Sequence, residues 1–324
     1  MESYKELEEA VWKQGLCTKC GACAAVCPAG TIFLGGISPV YGGNCKVVVD
    51  NIPCGACYNS CGRAHASEPG KYNLKFYAAK SQTRAPYAQS GGAVTSLLVS
   101  ALGSGLIDGA LVMGVDRFTQ EPRAMVVTTG EEVMQAAGSR YSWGNVFEGL
   151  GDAVKNGLER LAIVGTPCAI ESAHRIMSSN LDVLECYGKC IRFTIGVFCS
   201  GIFGNIEDAV CGERDLEKWQ VKKMEIKDGK VYVHLKTGIK QVPFSKVKDD
   251  ALPGCSNCTD FASVFADVSA GNIGTGEGFT TLVIRNDSGK ALVSNAVELG
   301  NITLSDDVDE SAVEEAAQRK MDIR

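Results

Sequence analysis

A run of closely spaced cysteines near the amino terminus constrains this chain more than any other feature of its sequence. Cys17, Cys20, Cys23 and Cys27 are separated by two, two and three residues, and Pro28 directly follows the last of them. This spacing is typical of two-cluster ferredoxins, in which three thiolates hold one 4Fe-4S cluster and the fourth reaches another. Because a single cluster would leave Cys27 unused, the motif predicts two clusters.

A second group of cysteines, Cys45, Cys54, Cys57 and Cys61, supplies the remaining ligands. The pseudo-twofold arrangement of such modules divides the ligands into two sets. The first thiol set is Cys17, Cys20, Cys23 and Cys61, and the second thiol set is Cys27, Cys45, Cys54 and Cys57.

The second motif departs from the ferredoxin pattern at two positions. Asn51 stands where its first cysteine would fall, and Gly62 replaces the usual proline after Cys61. We therefore expect Cys45 to substitute as a ligand. Zinc sites and free structural thiols are the alternatives, but zinc usually takes two C-x2-C pairs with a longer spacer between them. The spacing favours clusters.

Charge and composition limit the partners and the cellular compartment expected for this chain. Its 324 residues are 45% hydrophobic, carry a net charge of -6 and include 15 cysteines. The negative charge argues against binding nucleic acid or anionic membranes. Without a run of 18 apolar residues or a signal peptide, we expect a cytoplasmic protein with no direct membrane insertion. In a reducing cytoplasm, this many cysteines indicates ligation rather than disulfides.

The sequence pattern changes at about residue 70. Residues 1–16 predict an amphipathic helix, and the following cysteine-rich stretch has little periodicity. From Leu74 onwards apolar strands such as Gly109–Val115 alternate with Ala- and Leu-rich helices, expected from about Gly92 to Ser104 and over residues 146–158. Residues 221–244 predict an antiparallel hairpin. The fold class is therefore mixed α/β: a bacterial-type two-cluster ferredoxin module over residues 1–70 and a larger mixed-sheet domain over 71–324. The acidic sequence after Leu304 predicts a solvated terminal helix.

Four cysteines of the larger domain form a candidate third site. Cys168 and Cys199 are expected to end strands, where α/β folds assemble sites, and Cys255 and Cys258 form a C-x2-C pair. We call these four the third thiol set. The remaining thiols are predicted to be core residues, and the histidines are predicted to be structural: Cys186, Cys190, Cys211, His65, His174 and His234.

Three glycine-rich segments could bring backbone amides close to a pyrophosphate. They are Ser90-Gly91-Gly92, Ala137-Gly138-Ser139-Arg140-Tyr141 and the segment from Gly271 to Gly278. None is a G-x-G-x-x-G motif after a strand, so plain turns are the alternative. Arg140 adds a fixed charge.

From about Ser90 to Leu299 the chain resembles the beta subunits of coenzyme F420-reducing hydrogenases and F420-dependent formate dehydrogenases. The resemblance rests on several motifs in the same order: Ser90-Gly91-Gly92-Ala93-Val94-Thr95, Ala137-Gly138-Ser139-Arg140-Tyr141, Thr166-Pro167-Cys168, Phe198-Cys199, Gly254-Cys255-x2-Cys258 and Ala266-Asp267-Val268-Ser269-x-Gly271-x2-Gly274.

This resemblance implies an FAD in the larger domain and a 4Fe-4S cluster on the third thiol set, giving three clusters in all. It also implies hydride exchange with coenzyme F420. Residues at the matching positions look like cofactor contacts: Ser90, Gly91, Gly92, Thr95, Gly138, Ser139, Arg140, Gly274 and Thr280. No side chain is expected to be catalytic in its own right, because hydride transfer occurs at the flavin.

The resemblance further implies a subunit that relays electrons to or from a larger redox complex. A hydrogenase, a formate or formylmethanofuran dehydrogenase, a heterodisulfide reductase or a membrane-bound dehydrogenase would each serve as the partner. Two alternatives remain at this level. One is a ferredoxin-dependent reductase of an organic substrate, resembling 7-hydroxymethyl chlorophyll reductase, and the other is an electron-relay subunit without enzymatic activity.

Overall fold

The computed structural model describes residues 3–36, 38–65, 74–83, 85–86 and 88–322. The expected domain boundary at residues 70 and 71 lies outside the described residues. Where they are described, the secondary-structure elements agree with the mixed α/β class.

The amino-terminal module is built from short elements around its cysteines. Their order is α1 (Tyr4–Leu7), a π-helical turn (Glu8–Trp12), α2 (Ala22–Ala25), β1 (Ile32–Gly35), β2 (Ser38–Tyr41), α3 (Lys46–Asp50) and α4 (Ala56–Asn59). Gly21 and Gly55 precede α2 and α4 with φ angles of +95° and +71°, a backbone conformation that favours glycine. Both glycines sit within a Cys-Gly-Ala-Cys sequence, so the doubled motif predicted from the cysteines is also a doubled backbone motif.

A mixed sheet forms the centre of the larger domain. Its strands are β3 (Lys75–Ser81), β4 (Gly109–Val115), β5 (Pro122–Val127), β6 (Leu161–Gly165), β7 (Ile191–Val197), β11 (Val268–Gly271), β12 (Thr280–Ile284) and β13 (Ile302–Ser305). The intervening strands form a separate small sheet: β8 (Lys223–Lys227), β9 (Lys230–Leu235) and β10 (Gly238–Pro243). Among the described residues the large sheet has eight strands in the order β13-β3-β12-β11-β7-β6-β4-β5. The four neighbours β11, β7, β6 and β4 are parallel, and the outer strands are antiparallel.

Helices cover both faces of this sheet. They are α5 (Ala93–Gly103), α6 (Gly130–Ala136), α7 (Leu150–Lys155), α8 (Pro167–Met177), α9 (Asp182–Cys190), α10 (Ile206–Arg214), α11 (Asp287–Glu298) and α12 (Glu310–Asp322). Along β4, Ala110 and Val112 join the core beneath α5, α6 and α11, whereas Leu111 joins the core beneath α7, α8 and α9. This alternation is the period of two that a sheet covered on both faces requires.

The amino-terminal module shares the second of these cores. Ala22, Val26 and Ala56 of the module are almost fully buried in the cluster that contains Phe147 and Ile170. The module is therefore packed directly against α7 and α8, and its cysteine side chains lie close to the larger domain.

The predicted hairpin is confirmed, with Asp228 and Gly229 both at positive φ in the turn between β8 and β9. A third strand, β10, extends it, and α10 packs against the small sheet. The remaining short elements are 3-10 turns at Lys218–Gln220, Phe244–Lys246, Lys248–Asp250 and Pro253–Asn257.

The helix predicted over residues 146–158 is shorter in the structure, where it spans Leu150–Lys155. It is limited by Gly149 at φ +87° before it and Gly157 at φ +80° after it.

Candidate functional site

The first thiol set lines one pocket. Cys17, Cys20, Cys23 and Cys61 face it together with Arg63, Ser172 and neighbouring residues. Burial raises the pKa of the Cys20 thiol to about 12 and that of Cys61 to about 11. Thiols buried in this way ionise when a metal centre compensates the charge. The donor set therefore fits an iron–sulfur cluster.

The second thiol set lines a separate pocket. Cys27, Cys45, Cys54 and Cys57 all face it. Cys45 lies directly before α3, and its amide donates to the Tyr41 hydroxyl at 3.0 Å. The structure thus brings together the four residues grouped from the sequence, including the substitute Cys45, while their role as ligands stays a prediction.

The third thiol set converges from three parts of the larger domain. Cys168 lies in the first turn of α8, Cys199 two residues after β7 ends, and Cys255 in the 3-10 turn that Cys258 follows. Burial, with a smaller contribution from the three other thiols, raises the pKa of Cys199 to about 12, although the Lys320 charge opposes the shift. The expectation that Cys168 ends a strand is wrong, because Pro167 begins α8 immediately after β6.

The three sets follow one another in space. Cys168 of the third set lies one turn before Ser172 on α8, and Ser172 Oγ is 3.5 Å from Cys20 Sγ of the first set. Cys23 of the first set and Cys57 of the second belong to one buried cluster of side chains. Their spatial order is therefore third, first, second.

Lys320 is a residue of the third site that sequence reasoning missed. It is 6% exposed, and its ammonium donates to the carbonyl oxygens of Cys199 and Asp260, both at 2.7 Å. The helix expected after Leu304 is present as α12 and is largely exposed, but it is not solvated on every side, because one face is buried. Val313, Ala316 and Lys320 share that face at i, i+3 and i+7, the only signal the sequence carried.

The glycine-rich segments meet at the β3–β12 side of the sheet. The Gly91 amide donates to Thr280 Oγ1 at 3.0 Å. A side chain at Gly91 would place its Cβ 2.3 Å from the Ala79 carbonyl oxygen, so only glycine fits there. Gly92, at φ +72°, precedes α5, whose first turn contains Thr95 and has no side-chain cap. Uncapped amides of this kind suit a phosphate group.

The second glycine-rich segment lies beside the first. Ala88 packs with Ala137, and Gln89 donates to the Tyr141 hydroxyl at 3.3 Å. Between them are Gly138, at φ +113°, Ser139 and Arg140.

Arg140 carries an unmet donor. Its Nη atoms donate to the carbonyls of Ala136, Ala137 and Ser139, but its buried Nε has no partner in the structure. Burial and the nearby charge of Arg117 lower the pKa of Arg140 to about 10. Together with the uncapped end of α5, this environment fits the pyrophosphate of a dinucleotide such as FAD.

Gly274 lies at the other end of the loop that leads to Thr280. A Cβ there would meet the Asp309 carbonyl oxygen at 2.7 Å and Val313 Cγ2 at 3.0 Å. Gly274 therefore packs closely against the start of α12. Its role as a cofactor contact stays a prediction.

A short path joins the Tyr141 glycine-rich segment to the third thiol set. The carbonyl of Tyr141, next to Arg140, accepts from the Phe203 amide at 3.0 Å. The neighbouring Ile202 amide donates to Cys255 Sγ at 3.4 Å. Two hydrogen bonds and one peptide unit thus separate the two candidate sites.

The other predicted core thiols differ among themselves. Cys190 and Cys211 are buried as predicted, but Cys186 is exposed because it faces outwards from α9. His174 packs against Phe265, and His234 contacts Glu225 at 2.9 Å, as expected for structural histidines. Among the residues that the structure describes, no three His, Cys, Asp or Glu side chains are placed to hold a single metal ion. In the same ranges no helix is long and apolar enough to cross a membrane.

Comparison with known proteins agrees with this fold and arrangement of thiols. Residues 10–33 match the family described as 4Fe-4S binding domain. Residues 76–150 and 158–310 match the amino- and carboxy-terminal parts of the coenzyme F420 hydrogenase/dehydrogenase beta subunit. The fold and site thus define an iron–sulfur protein of mixed α/β architecture. The chain belongs to the coenzyme F420 hydrogenase/dehydrogenase beta subunit family.

Individual relatives show the same likeness. An uncharacterised protein of Methanocaldococcus jannaschii is 37% identical, covering 99% of this chain and 97% of its own length. Coenzyme F420 hydrogenase subunit beta of Methanothermobacter thermautotrophicus is 32% identical, covering 66% of this chain and 76% of the relative. A chain of the F420-reducing [NiFe] hydrogenase complex from Methanosarcina barkeri superposes with a TM-score of 0.72 at 30% identity, over 80% of this chain and 92% of that chain.

Proposed function

We propose that this protein exchanges hydride between coenzyme F420 and a bound FAD, and relays single electrons through three 4Fe-4S clusters to or from a partner oxidoreductase. A deazaflavin carries hydride and an iron–sulfur cluster carries one electron, so a flavin between them supplies the conversion. The remaining task of the chain is to bind, order and enclose these groups.

The spatial order of the thiol sets is the observation that carries this proposal. The third set lies beside the Tyr141 segment, the first set adjoins the third, and the second adjoins the first. A linear sequence of redox sites starting next to a flavin site is the arrangement that a hydride-to-electron converter requires. An isolated structural zinc site would not need such an order.

Each part of the chain has a defined role in this proposal. The buried thiols would hold the clusters, and the protein around them excludes water. The uncapped end of α5 and Arg140 Nε would bind the FAD pyrophosphate. The loop before α5 is held against β12, because the Gly91 amide donates to the Thr280 hydroxyl.

The partner is proposed to be another redox subunit that exchanges electrons at the second set. Support comes from the hydrogenase subunit beta relative and from the hydrogenase complex whose chain this protein resembles. A dehydrogenase or reductase subunit would satisfy the same requirement for a one-electron partner.

The proposal is tested on full-length protein purified without oxygen. Bound flavin is identified after denaturation, and oxidation of reduced F420 is followed with a one-electron dye as the acceptor. We expect FAD at one per chain and dye reduction that depends on reduced F420, with NADH giving none as the matched hydride-donor control. Protein that contains iron but neither binds FAD nor reacts with reduced F420 would overturn the proposal.

A further inference from the structure

The residue after Cys61 shows how the first thiol set is joined to the larger domain. Ferredoxin modules usually have proline there, but this chain has Gly62. Its amide donates to Ser172 Oγ at 3.3 Å, which proline cannot do. A Cβ at Gly62 would lie 2.7 Å from Glu171 Cγ. Glycine therefore lets the Cys61 segment dock on α8.

The docked face of α8 also carries a ligand of the third set. Cys168, Glu171 and Ser172 lie at i, i+3 and i+4 of this helix, so they share one face. Ser172 Oγ is 3.5 Å from Cys20 Sγ of the first set. One helix face therefore contacts both sites.

Arg63 lies at this junction. It lines the pocket of the first set. Its guanidinium also interacts with Cys258 and Cys168 of the third set and with Glu171. Its Nε and Nη2 atoms are buried and have no protein partner. Unmet donors on a buried cation that faces two groups of sulfur ligands indicate that their acceptors belong to the bound groups.

We propose that Arg63 is a positioning residue shared by the first and third sites, with its guanidinium donating to the sulfur atoms held at both and raising the reduction potential of both. This inference rests on the proposed function, because it requires clusters at the two sites. A planar guanidinium has donors on two edges and can serve two acceptor groups, whereas a lysine ammonium can lie against only one.

The expected sign follows from electrostatics. Each cluster gains negative charge on reduction, so a nearby fixed cation favours the reduced form and raises the potential. A purely structural Arg63 would instead act only through Glu171 and the packing of the module, and its loss would reduce stability without moving either potential.

The test uses full-length protein reconstituted anaerobically with iron and sulfide. Midpoint potentials are measured by redox titration with dithionite while the electron paramagnetic resonance signals are followed, and Cys20→Ala and Cys255→Ala assign the signals. In Arg63→Met we expect the first and third sites to shift to lower potential while the second does not. The electron distribution between first and second sites should change at least tenfold, which is about 59 mV for one electron.

Two further variants make the outcome decisive. Arg63→Lys should lower the potential of one of the two sites and leave the other near its original value. Arg175→Met is the matched control. This arginine lies one turn after Glu171 on α8 and donates to the Asn59 carbonyl rather than to thiols. The cluster potentials of this variant should not change.

Unchanged potentials in an iron-replete Arg63→Met protein would overturn the role of Arg63 alone. If that variant loses iron, unchanged potentials in an iron-replete Arg63→Gln protein, which also removes the charge, have the same meaning. Wild-type protein that takes up no iron at the first and third sets would instead overturn the proposed function as well.

Discussion

The ammonium of Lys320 lies 2.7 Å from the carbonyl oxygen of Cys199, and this contact ties the last helix of the chain to the third thiol set. The same ammonium is 2.7 Å from the carbonyl oxygen of Asp260. Both acceptors lie beside ligands predicted for one site, because Asp260 follows Cys258 by two residues. The carboxy-terminal helix is therefore part of the wall of that site.

Replacing Lys320 with methionine should destabilise the protein. The change keeps the length of the side chain but removes the ammonium that donates to two part-buried carbonyl groups, at a total cost of about 1–3 kcal/mol. The free energy of unfolding in denaturant measures the loss. Arg319→Met is the control, since Arg319 is exposed and its contact with Glu315 is 3.8 Å long. Equal stability of the two variants would contradict this account of Lys320.

Local patterns predicted much of the fold. Gly109–Val115 was expected as a strand with its observed limits, and Gly92 marked the start of α5, because continuous apolar runs and a glycine before a helix are local signals. The helix α8 was not predicted, although Thr166-Pro167 is a helix-start signal, since Cys168 was interpreted as the end of a strand. Pro167 at the first helical position is the local signal for this helix start.

The sequence likewise predicted one part of the candidate site and missed another. The grouping of the first two thiol sets followed from spacing, which encodes how a short chain wraps a cluster. Arg63 and Lys320 were not found, because their importance depends on neighbours more than a hundred residues away in sequence. Gly62 was noted only as a departure from a motif, and its contact with Ser172 explains it.

A double-mutant cycle tests the docking of the module. Gly62→Ala should reduce the free energy of unfolding by about 1–3 kcal/mol, because the new Cβ overlaps Glu171. In a Glu171→Ala background the same change should cost at least about 1 kcal/mol less. Gly35→Ala is the control, since no atom lies within 4 Å of its added Cβ. A penalty at Gly62 that is independent of residue 171 would contradict the contact.

Gly91→Ala should weaken flavin binding. The added Cβ would meet main-chain atoms of Ala79 and Thr280, which cannot swing aside, so the loop must move. We expect at least a tenfold loss of FAD affinity, equivalent to about 1.4 kcal/mol. Gly212→Ala, on α10 and with open space around its Cβ, should bind FAD normally. Equal flavin content in both variants, measured after gel filtration, would argue against a cofactor site at Gly91.

Three clusters require about twelve iron and twelve acid-labile sulfide per chain. Metal and sulfide analysis after anaerobic reconstitution measures both. About eight of each would remove the third site, and stoichiometric zinc would overturn the interpretation of whichever set held it.

Cys255→Ser separates the flavin step from the electron relay. Serine keeps the size of the side chain but is a poorer ligand for iron than a thiolate. If Cys255 holds the cluster beside the flavin, reduced F420 should still bleach the flavin, because that step needs only the ring and its binding loops. Reduction of a one-electron dye through the amino-terminal clusters should fall at least tenfold.

Cys211→Ser is the matched change, since Cys211 is buried in the core of the small sheet and belongs to none of the thiol sets. It should cost a modest amount of stability and leave both steps intact. If Cys255 and Cys258 were only a structural pair, Cys255→Ser would instead lose flavin and stability together, without a selective block. Stopped-flow absorbance on the two proteins distinguishes these results, and normal dye reduction by a stable Cys255→Ser protein would rule out electron transfer through the third site.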